Sequence, residues 1–403
     1  MKKNLVLTLL LVLLFIIKIN GKESSQLILL QDAKLAKCLD GTAPGYYYTK
    51  GYGEGEQKFV LYMEGGFYCP GQTEEEILES CYQRSFTNEG SSSTWNQTYS
   101  DNGVNSPKEE YNPLFYNWNR FYIKYCDGTF YQSSKEPIVY KNTTLYFRGS
   151  DNVKEIIDDI SKRFGLLKSS IVVLGGESAG GQASYAWSQY LRNYLPKTIK
   201  MLATPDCGFH VEFNNPDLQH KNAIWVDFVT DGNRQIIQPQ GCPYLYDDLN
   251  IYKCFLQQYI VNQINVPVFF ISSLYDQFFI TKYLQIDCIN GNHALVGCSD
   301  SDMTRIEGVR QQLYDAFNYI RTIKQDWGVW AVSCVLHVFS LKKSYNNEVY
   351  QVPEDSQITP ALALMEFVEA VEQGKPLNDF YFIDQVAYPS NTRCNGLQQT
   401  NES

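Results

Sequence analysis

Ile171-Val172-Val173-Leu174-Gly175-Gly176-Glu177-Ser178-Ala179-Gly180 is the stretch on which the reading of this 403-residue chain turns. Its first four residues form a short, continuously apolar, β-branched run, the pattern of a strand covered on both faces. The residues from Gly181 to Tyr194 read as a helix. Between them stands G-x-S-x-G in the strand, sharp turn and helix order that exposes a serine above a sheet. Glycines two residues to either side let strand and helix approach without Cβ clashes. The N–H of Ala179, at the helix start, is then free to donate to a developing oxyanion. Five residues alone are weak evidence, because a glycine-rich turn whose serine merely caps the helix has the same spelling.

Working outward, further strand patterns fall at 58–63, 120–125, 170–174, 199–203, 266–272 and 330–336. Helical patterns lie between them at 74–83, 153–164, 182–194 and 303–323. In the second helix Val153, Ile156, Ile157 and Ile160 share one face. Alternation of this kind predicts an α/β fold with a mostly parallel sheet flanked by helices. Functional groups are then expected at the carboxyl ends of the strands. The polar stretch from Asn88 to Asn105 reads as a surface loop.

A serine nucleophile needs a base, and the chain has four histidines: His210, His220, His293 and His337. All follow Ser178, so chain order excludes none. His337 comes directly after the last evident strand pattern and is the favoured base; a histidine packed at a strand end is the alternative. The acid is expected at Asp276, just past the Val266–Ser272 pattern, where a carboxylate can fix the imidazole tautomer. Asp206 is the second candidate, and a turn-capping role its alternative. A further oxyanion donor is sought in Glu64-Gly65-Gly66-Phe67-Tyr68-Cys69, where two glycines follow an early strand and Phe67 and Tyr68 offer N–H groups.

Lys2 and Lys3 precede an apolar run from Leu5 to Ile17, followed by Asn20 and Gly21. That is the layout of a secretory signal peptide over residues 1–21, and the run is shorter than the roughly 20 residues a bilayer span takes. Residues 22–393 are expected to form one domain, with a polar tail at 394–403. No second apolar stretch approaches spanning length. Eleven cysteines in a secreted chain predict disulfides with at least one thiol left over, and no Cys/His spacing suggests a metal. Sequons at Asn96, Asn142 and Asn401 fit secretion. A net charge of −10 argues against nucleic-acid and anionic-membrane surfaces, which reward clustered Lys and Arg. The mature chain is expected to be a soluble monomer.

Several segments, taken in order, resemble one family. Cys38-Leu39-Asp40-Gly41-Thr42-Ala43-Pro44-Gly45-Tyr46 resembles its N-terminal segment, and Glu64-Gly65-Gly66-Phe67-Tyr68-Cys69 its E-G-G-G-W-C loop. Asn112-Pro113, Phe115-Tyr116-Asn117-Trp118-Asn119-Arg120 and Tyr125-Cys126-Asp127-Gly128 resemble its N-P-x-F-Y-N-W-N-R…Y-C-D-G pattern. Tyr146-Phe147-Arg148-Gly149 and Asp206-Cys207-Gly208-Phe209 follow in the family's order. The chain is thus similar, from about Cys38 to His337, to the pectin acetylesterase and Notum family of α/β hydrolases. The resemblance implies an α/β-hydrolase fold, Ser178, Asp276 and His337 as triad, and Phe67, Tyr68 and Ala179 as oxyanion donors. It implies no metal or organic cofactor. The third glycine of the loop is Phe67 here and the tryptophan is Tyr68, so a differently shaped hole is expected. The cysteine that follows the family's histidine is Val338, a loss that would leave one former partner free. The expected activity is carboxylester hydrolysis, with O-acetyl groups of a polysaccharide as substrate. Removal of a fatty acyl group from a protein, or a binding role for an inactive fold, are the alternatives.

Overall fold

Register between parallel strands decides where this chain can do chemistry. The computed structural model describes residues 25–391 except 100, 101, 214, 292, 348, 349, 354 and 355. The signal peptide, the polar tail and the Asn401 sequon lie outside the described residues.

In chain order the strands are β1 (Gln26–Leu29), β2 (Gly45–Thr49), β3 (Lys58–Met63), β4 (Asn119–Ile123), β5 (Lys135–Tyr140), β6 (Thr143–Phe147), β7 (Ile171–Glu177), β8 (Lys200–Asp206), β9 (Val268–Ser273), β10 (Trp327–Val332) and β11 (Tyr381–Ile383). Nine of them form one sheet in the order β1-β2-β4-β3-β7-β8-β9-β10-β11, and β5 and β6 pair separately. From β4 to β11 every pairing is parallel; β1 and β2 extend the edge antiparallel. The expected mostly parallel α/β sheet is therefore present. The crossover helices include α1 (Glu74–Arg84), α2 (Gly149–Phe164), α3 (Ala179–Tyr194), α4 (Pro216–Thr230), α5 (Asp300–Ile323) and α6 (Pro360–Gln373).

Local chemistry explains these bounds. Thr73 caps α1, Asn215 caps α4 with Pro216 behind it, Thr359 does the same for α6 ahead of Pro360, and Ser299 with Asp302 forms a capping box on α5. The stripe Val153, Ile156, Ile157 and Ile160 of α2 is buried against one sheet face, and the helix ends at Gly165 with φ 76°. Two apolar clusters cover the two faces of the sheet; Trp187 and Trp327 belong to one, Trp330 and Phe367 to the other.

Three expectations need correction. The 330–336 strand pattern is strand only as far as Val332: Ser333 leaves the ladder because its N–H donates to Asp384 and its hydroxyl to the Val386 carbonyl. Nor is it the last strand, since β11 follows it. The Asn88–Asn105 stretch is irregular but not peripheral. Trp95 and Val104 in it are buried, and the Trp95 indole donates to the Asn88 carbonyl.

Disulfides join Cys38–Cys126, Cys69–Cys81, Cys242–Cys254 and Cys288–Cys298, and Cys334 is also disulfide-bonded. Cys207 is the free thiol among the described residues. Asn96 and Asn142 are both exposed. Among the described residues no helix is long and apolar enough to cross a membrane.

Candidate active site

The turn after β7 has the strained backbone that an exposed serine requires. Ser178 sits at φ 54°, ψ −119° between the end of β7 and the start of α3. Positive φ is costly for any residue with a Cβ, and such strain persists only where the surroundings impose it. They do so here. A Cβ on Gly176 would lie 2.3 Å from the Gly180 carbonyl oxygen, and one on Gly180 would lie 1.9 Å from that of Met63 in β3. The Ser178 N–H is tied to the Asp206 carbonyl at 2.9 Å.

Three side chains from three strand ends meet at this turn. His337 Nε2 lies 2.8 Å from Ser178 Oγ, and Nδ1 lies 2.8 Å from Asp276 Oδ1 and 3.0 Å from Oδ2. Asp276 is buried and also accepts from the Phe278 N–H at 2.8 Å. The ring of Phe278 stacks on His337 with centroids 5.3 Å apart. Burial alone would lower the pKa of His337. The Asp276 carboxylate and its hydrogen bond outweigh that, so the imidazole is held above its ordinary value.

The other titratable candidates have different surroundings. His210 is packed against Phe278 and Phe279, with Tyr283 Oη 3.3 Å from Nδ1; burial, then repulsion from His337, push it down to about 3, so it stays neutral. His293 pairs with Gln277, and His220 is exposed on α4. Asp206 holds the loop that carries His337. Its Oδ2 accepts from the N–H groups of Phe339 and Ser340 at 2.8 and 2.7 Å and from the Ser340 hydroxyl at 2.6 Å. In the same loop Val338 has φ 68°, unfavourable for a β-branched residue, and its N–H donates to Cys207 Sγ at 3.3 Å. The free thiol therefore lies against Val338, the residue directly after His337.

Among the described residues, Cys207, Asp276 and His337 have potential metal-ligand atoms within 4.8 Å of one another. Each already has a protein partner, and burial pushes the Cys207 thiol well up, which keeps it protonated and a poor ligand.

The loop after β3 packs on the serine. A Cβ on Gly65 would lie 3.0 Å from Ser178 Cβ. Phe67 takes up φ 62°, so the backbone keeps a left-handed shape suited to glycine despite the side chain. The N–H groups of Phe67, Tyr68 and Ala179 have no hydrogen-bond acceptor among the described residues. Phe67 contacts Tyr68 and Phe278 with centroids 4.4 and 5.4 Å away; Tyr68 in turn meets Phe130 and Trp225.

One anchoring residue has no signal in the sequence. Glu177, the variable position before the serine, is buried, and its Oε1 accepts from the Gly65 N–H at 2.7 Å and the Tyr122 hydroxyl at 2.9 Å. Burial pushes Glu177 well above the usual carboxylate range; the Gly65 N–H opposes this and the neighbouring Glu64 carboxylate adds to it. A neutral carboxyl is mimicked by an amide. Glu177→Gln is therefore expected to keep kcat/KM within a few-fold. Glu177→Ala, which leaves two buried donors unpaired at about 1–3 kcal/mol each, is expected to lower both Tm and kcat/KM, the latter about 10- to 100-fold. Steady-state kinetics and thermal melts of the two variants test this; equal losses would contradict it.

The pectinacetylesterase family model matches residues 19–395. Pectin acetylesterase 11 of Arabidopsis thaliana is 29% identical over 316 residues, 76% of this chain and 77% of that protein. Pectin acetylesterase 4 of the same plant is 28% identical over 392 residues, covering 93% of this chain and 90% of its own. The palmitoleoyl-protein carboxylesterase NOTUM of Schmidtea mediterranea is 26% identical over 77% of this chain and 57% of its own. With a match that spans most of its length, the chain belongs to the pectinacetylesterase family.

Proposed function

We propose that this protein is a secreted carboxylic ester hydrolase that removes O-acetyl groups from a polysaccharide, with Ser178, His337 and Asp276 as its catalytic triad. The observation that carries the reading is the continuous hydrogen-bonded path Ser178 Oγ–His337 Nε2 and His337 Nδ1–Asp276, at 2.8 Å for each link, in a chain of this family.

Ser178 Oγ attacks the ester carbonyl carbon while His337 Nε2 takes its proton. Asp276 holds the ring and stabilises the imidazolium. Negative charge on the former carbonyl oxygen is met by the N–H groups of Ala179 and of Phe67 and Tyr68. Collapse breaks the bond to the sugar oxygen, which leaves with the proton from His337, and the acyl group stays on Ser178. Water then attacks the acyl-serine, gives its proton to His337, and the acid departs as Ser178 Oγ is reprotonated.

The aromatic wall favours a small acyl group. Phe67, Phe278 and Tyr68 stand in mutual ring contact beside His337. Phe130, which Tyr68 contacts, borders a void of only about 10 Å³ with Gln182 and Phe255, the size of one water. The four disulfides, the disulfide-bonded Cys334 and the exposed sequons Asn96 and Asn142 support passage through an oxidising secretory compartment. We take residues 1–21 as the leader and 22–393 as the catalytic domain.

Nitrophenyl esters of increasing acyl length test the reading: acetate is expected to be the best substrate, with kcat/KM falling as the chain lengthens. A preference for long chains would point instead to a lipid-removing activity like that named for NOTUM. Phe67→Gly removes one ring of the wall and relieves the positive φ. It is expected to raise the butyrate-to-acetate ratio of kcat/KM about 10-fold, in keeping with pocket discrimination of one to two methylenes. An unchanged ratio would remove Phe67 from the acyl pocket.

A further inference from the structure

The catalytic serine lies at the N-terminus of α3; a second feature lies at the other end of the same helix. Tyr190 is twelve positions beyond Ser178, roughly 18 Å at about 1.5 Å per residue. There, a cleft of about 630 Å³ opens between the end of α3, the segment after α4 and the segment before β9. It is the size of a small-ligand site.

Its lining is unusual for this chain. Gln189, Asn193, Gln238, Gln240, Gln263 and Asn265 contribute carboxamides, Tyr190 and Tyr194 contribute rings, and Pro239 and Gly241 complete it. None of these is charged, in a chain that is 19% Asp, Glu, Lys and Arg. The two tyrosine rings lie 21° from parallel with centroids 6.4 Å apart, a platform one helical turn long. The Tyr194 hydroxyl is fixed by Asp158 at 2.8 Å. Gln189 is held by the Asn265 N–H at 2.9 Å and itself donates to Asn193 at 3.0 Å. Gln238 lines the cleft and is only 3% exposed overall, so packing holds it in place. An amide held there can both donate to and accept from a ligand in the cleft.

Paired amides that offer donor and acceptor together, beside flat aromatic faces and without charge, match the hydroxyls and C–H faces of neutral sugars. We infer that this cleft is a second carbohydrate site, which takes a run of uncharged sugar residues and tethers the polymer while Ser178 works elsewhere on it. The tethering role rests on the polysaccharide-esterase reading; the binding does not. Tethering raises the effective concentration of polymer-borne esters at the active site without touching small esters.

The test uses Ser178→Ala protein titrated by calorimetry with xylotetraose, galactotetraose and tetragalacturonate. Saturable binding of a neutral tetraose is expected. Tyr190→Ala, and the exposed pair Asn193→Ala/Gln240→Ala as a variant safe for folding, are each expected to weaken it at least 10-fold. In the otherwise native protein the same variants are expected to keep kcat/KM on nitrophenyl acetate within two-fold and to lose activity on acetylated polymer. No binding of either neutral tetraose, tighter binding of the acidic one, or binding undiminished in both variants would overturn the inference. Loss of nitrophenyl acetate hydrolysis by the unaltered protein would instead overturn the esterase reading and leave the binding result standing.

Discussion

Ser178→Ala is expected to lower kcat on nitrophenyl acetate by about 10⁶-fold, the order seen when a triad nucleophile is deleted. The fold should not suffer. Ser178 Oγ hydrogen-bonds only to His337 among the described residues, so its loss leaves no buried donor stranded. The backbone strain at φ 54° is retained by alanine and removed by glycine. Ser178→Gly is therefore expected to be as inactive as the alanine variant yet about 1 kcal/mol more stable than it. That pairing of lost activity with gained stability separates a functional serine from a structural one. A helix-capping serine would behave oppositely, with stability falling by about 1 kcal/mol in the alanine variant.

Asp276→Asn is expected to reduce kcat at neutral pH by about 10⁴-fold, because an amide cannot hold the neutral imidazole in the tautomer that accepts the Ser178 proton. It also moves the pH profile. His337 must be neutral to act as base, so activity falls as pH drops through its pKa. The Asp276 carboxylate holds that pKa above the ordinary value near 6.5, and the acid limb of kcat/KM should lie above it too. In the asparagine variant the attraction to the carboxylate is gone and burial, which lowers the pKa, remains. The residual activity is expected to persist to lower pH than in the unaltered protein. A limb that stays in place would show that another group is being titrated.

Much of this site was legible in the sequence because each part rests on short-range pattern. The β-branched run 171–174, the glycines at 176 and 180 and the helix to Tyr194 require no tertiary information. Asp276 and His337 stood out by following strand patterns. The choice between Asp276 and Asp206 was harder, since both follow strands. Sheet order sets the geometry that favours Asp276. Asp206 lies beside Glu177 in the neighbouring strand and reaches forward to Phe339 and Ser340, whereas Asp276 lies past β9, next to the strand that delivers His337.

What was not legible depends on contacts between distant segments. Glu177 acquires its role only because parallel pairing sets Met63 opposite Gly176, which brings the Gly65 N–H onto its carboxyl. α4 was missed because its buried residues crowd into its last turns, from Trp225 to Thr230, while His220, Lys221 and Asn222 break any stripe. α6 was missed although its buried Ala361, Leu364, Phe367, Val368 and Val371 recur at helical spacing, with Glu366, Glu369 and Gln373 exposed on the other face. β2 is a run of tyrosines without alternation, and its place is fixed by antiparallel pairing to β4. The departure at Phe67 was visible as a residue change. Its consequence was not, because the loop keeps the left-handed backbone and the ring joins the wall against Phe278.

The most direct test of the account is to find where the acyl group goes. Protein mixed with excess nitrophenyl acetate and quenched within a turnover is predicted to release a stoichiometric burst of nitrophenol. Peptide mass analysis is predicted to find a single acetyl group on the peptide that contains Ser178, and none in the Ser178→Ala protein. Turnover without that acetyl-serine, or an acetyl group on another residue, would contradict it.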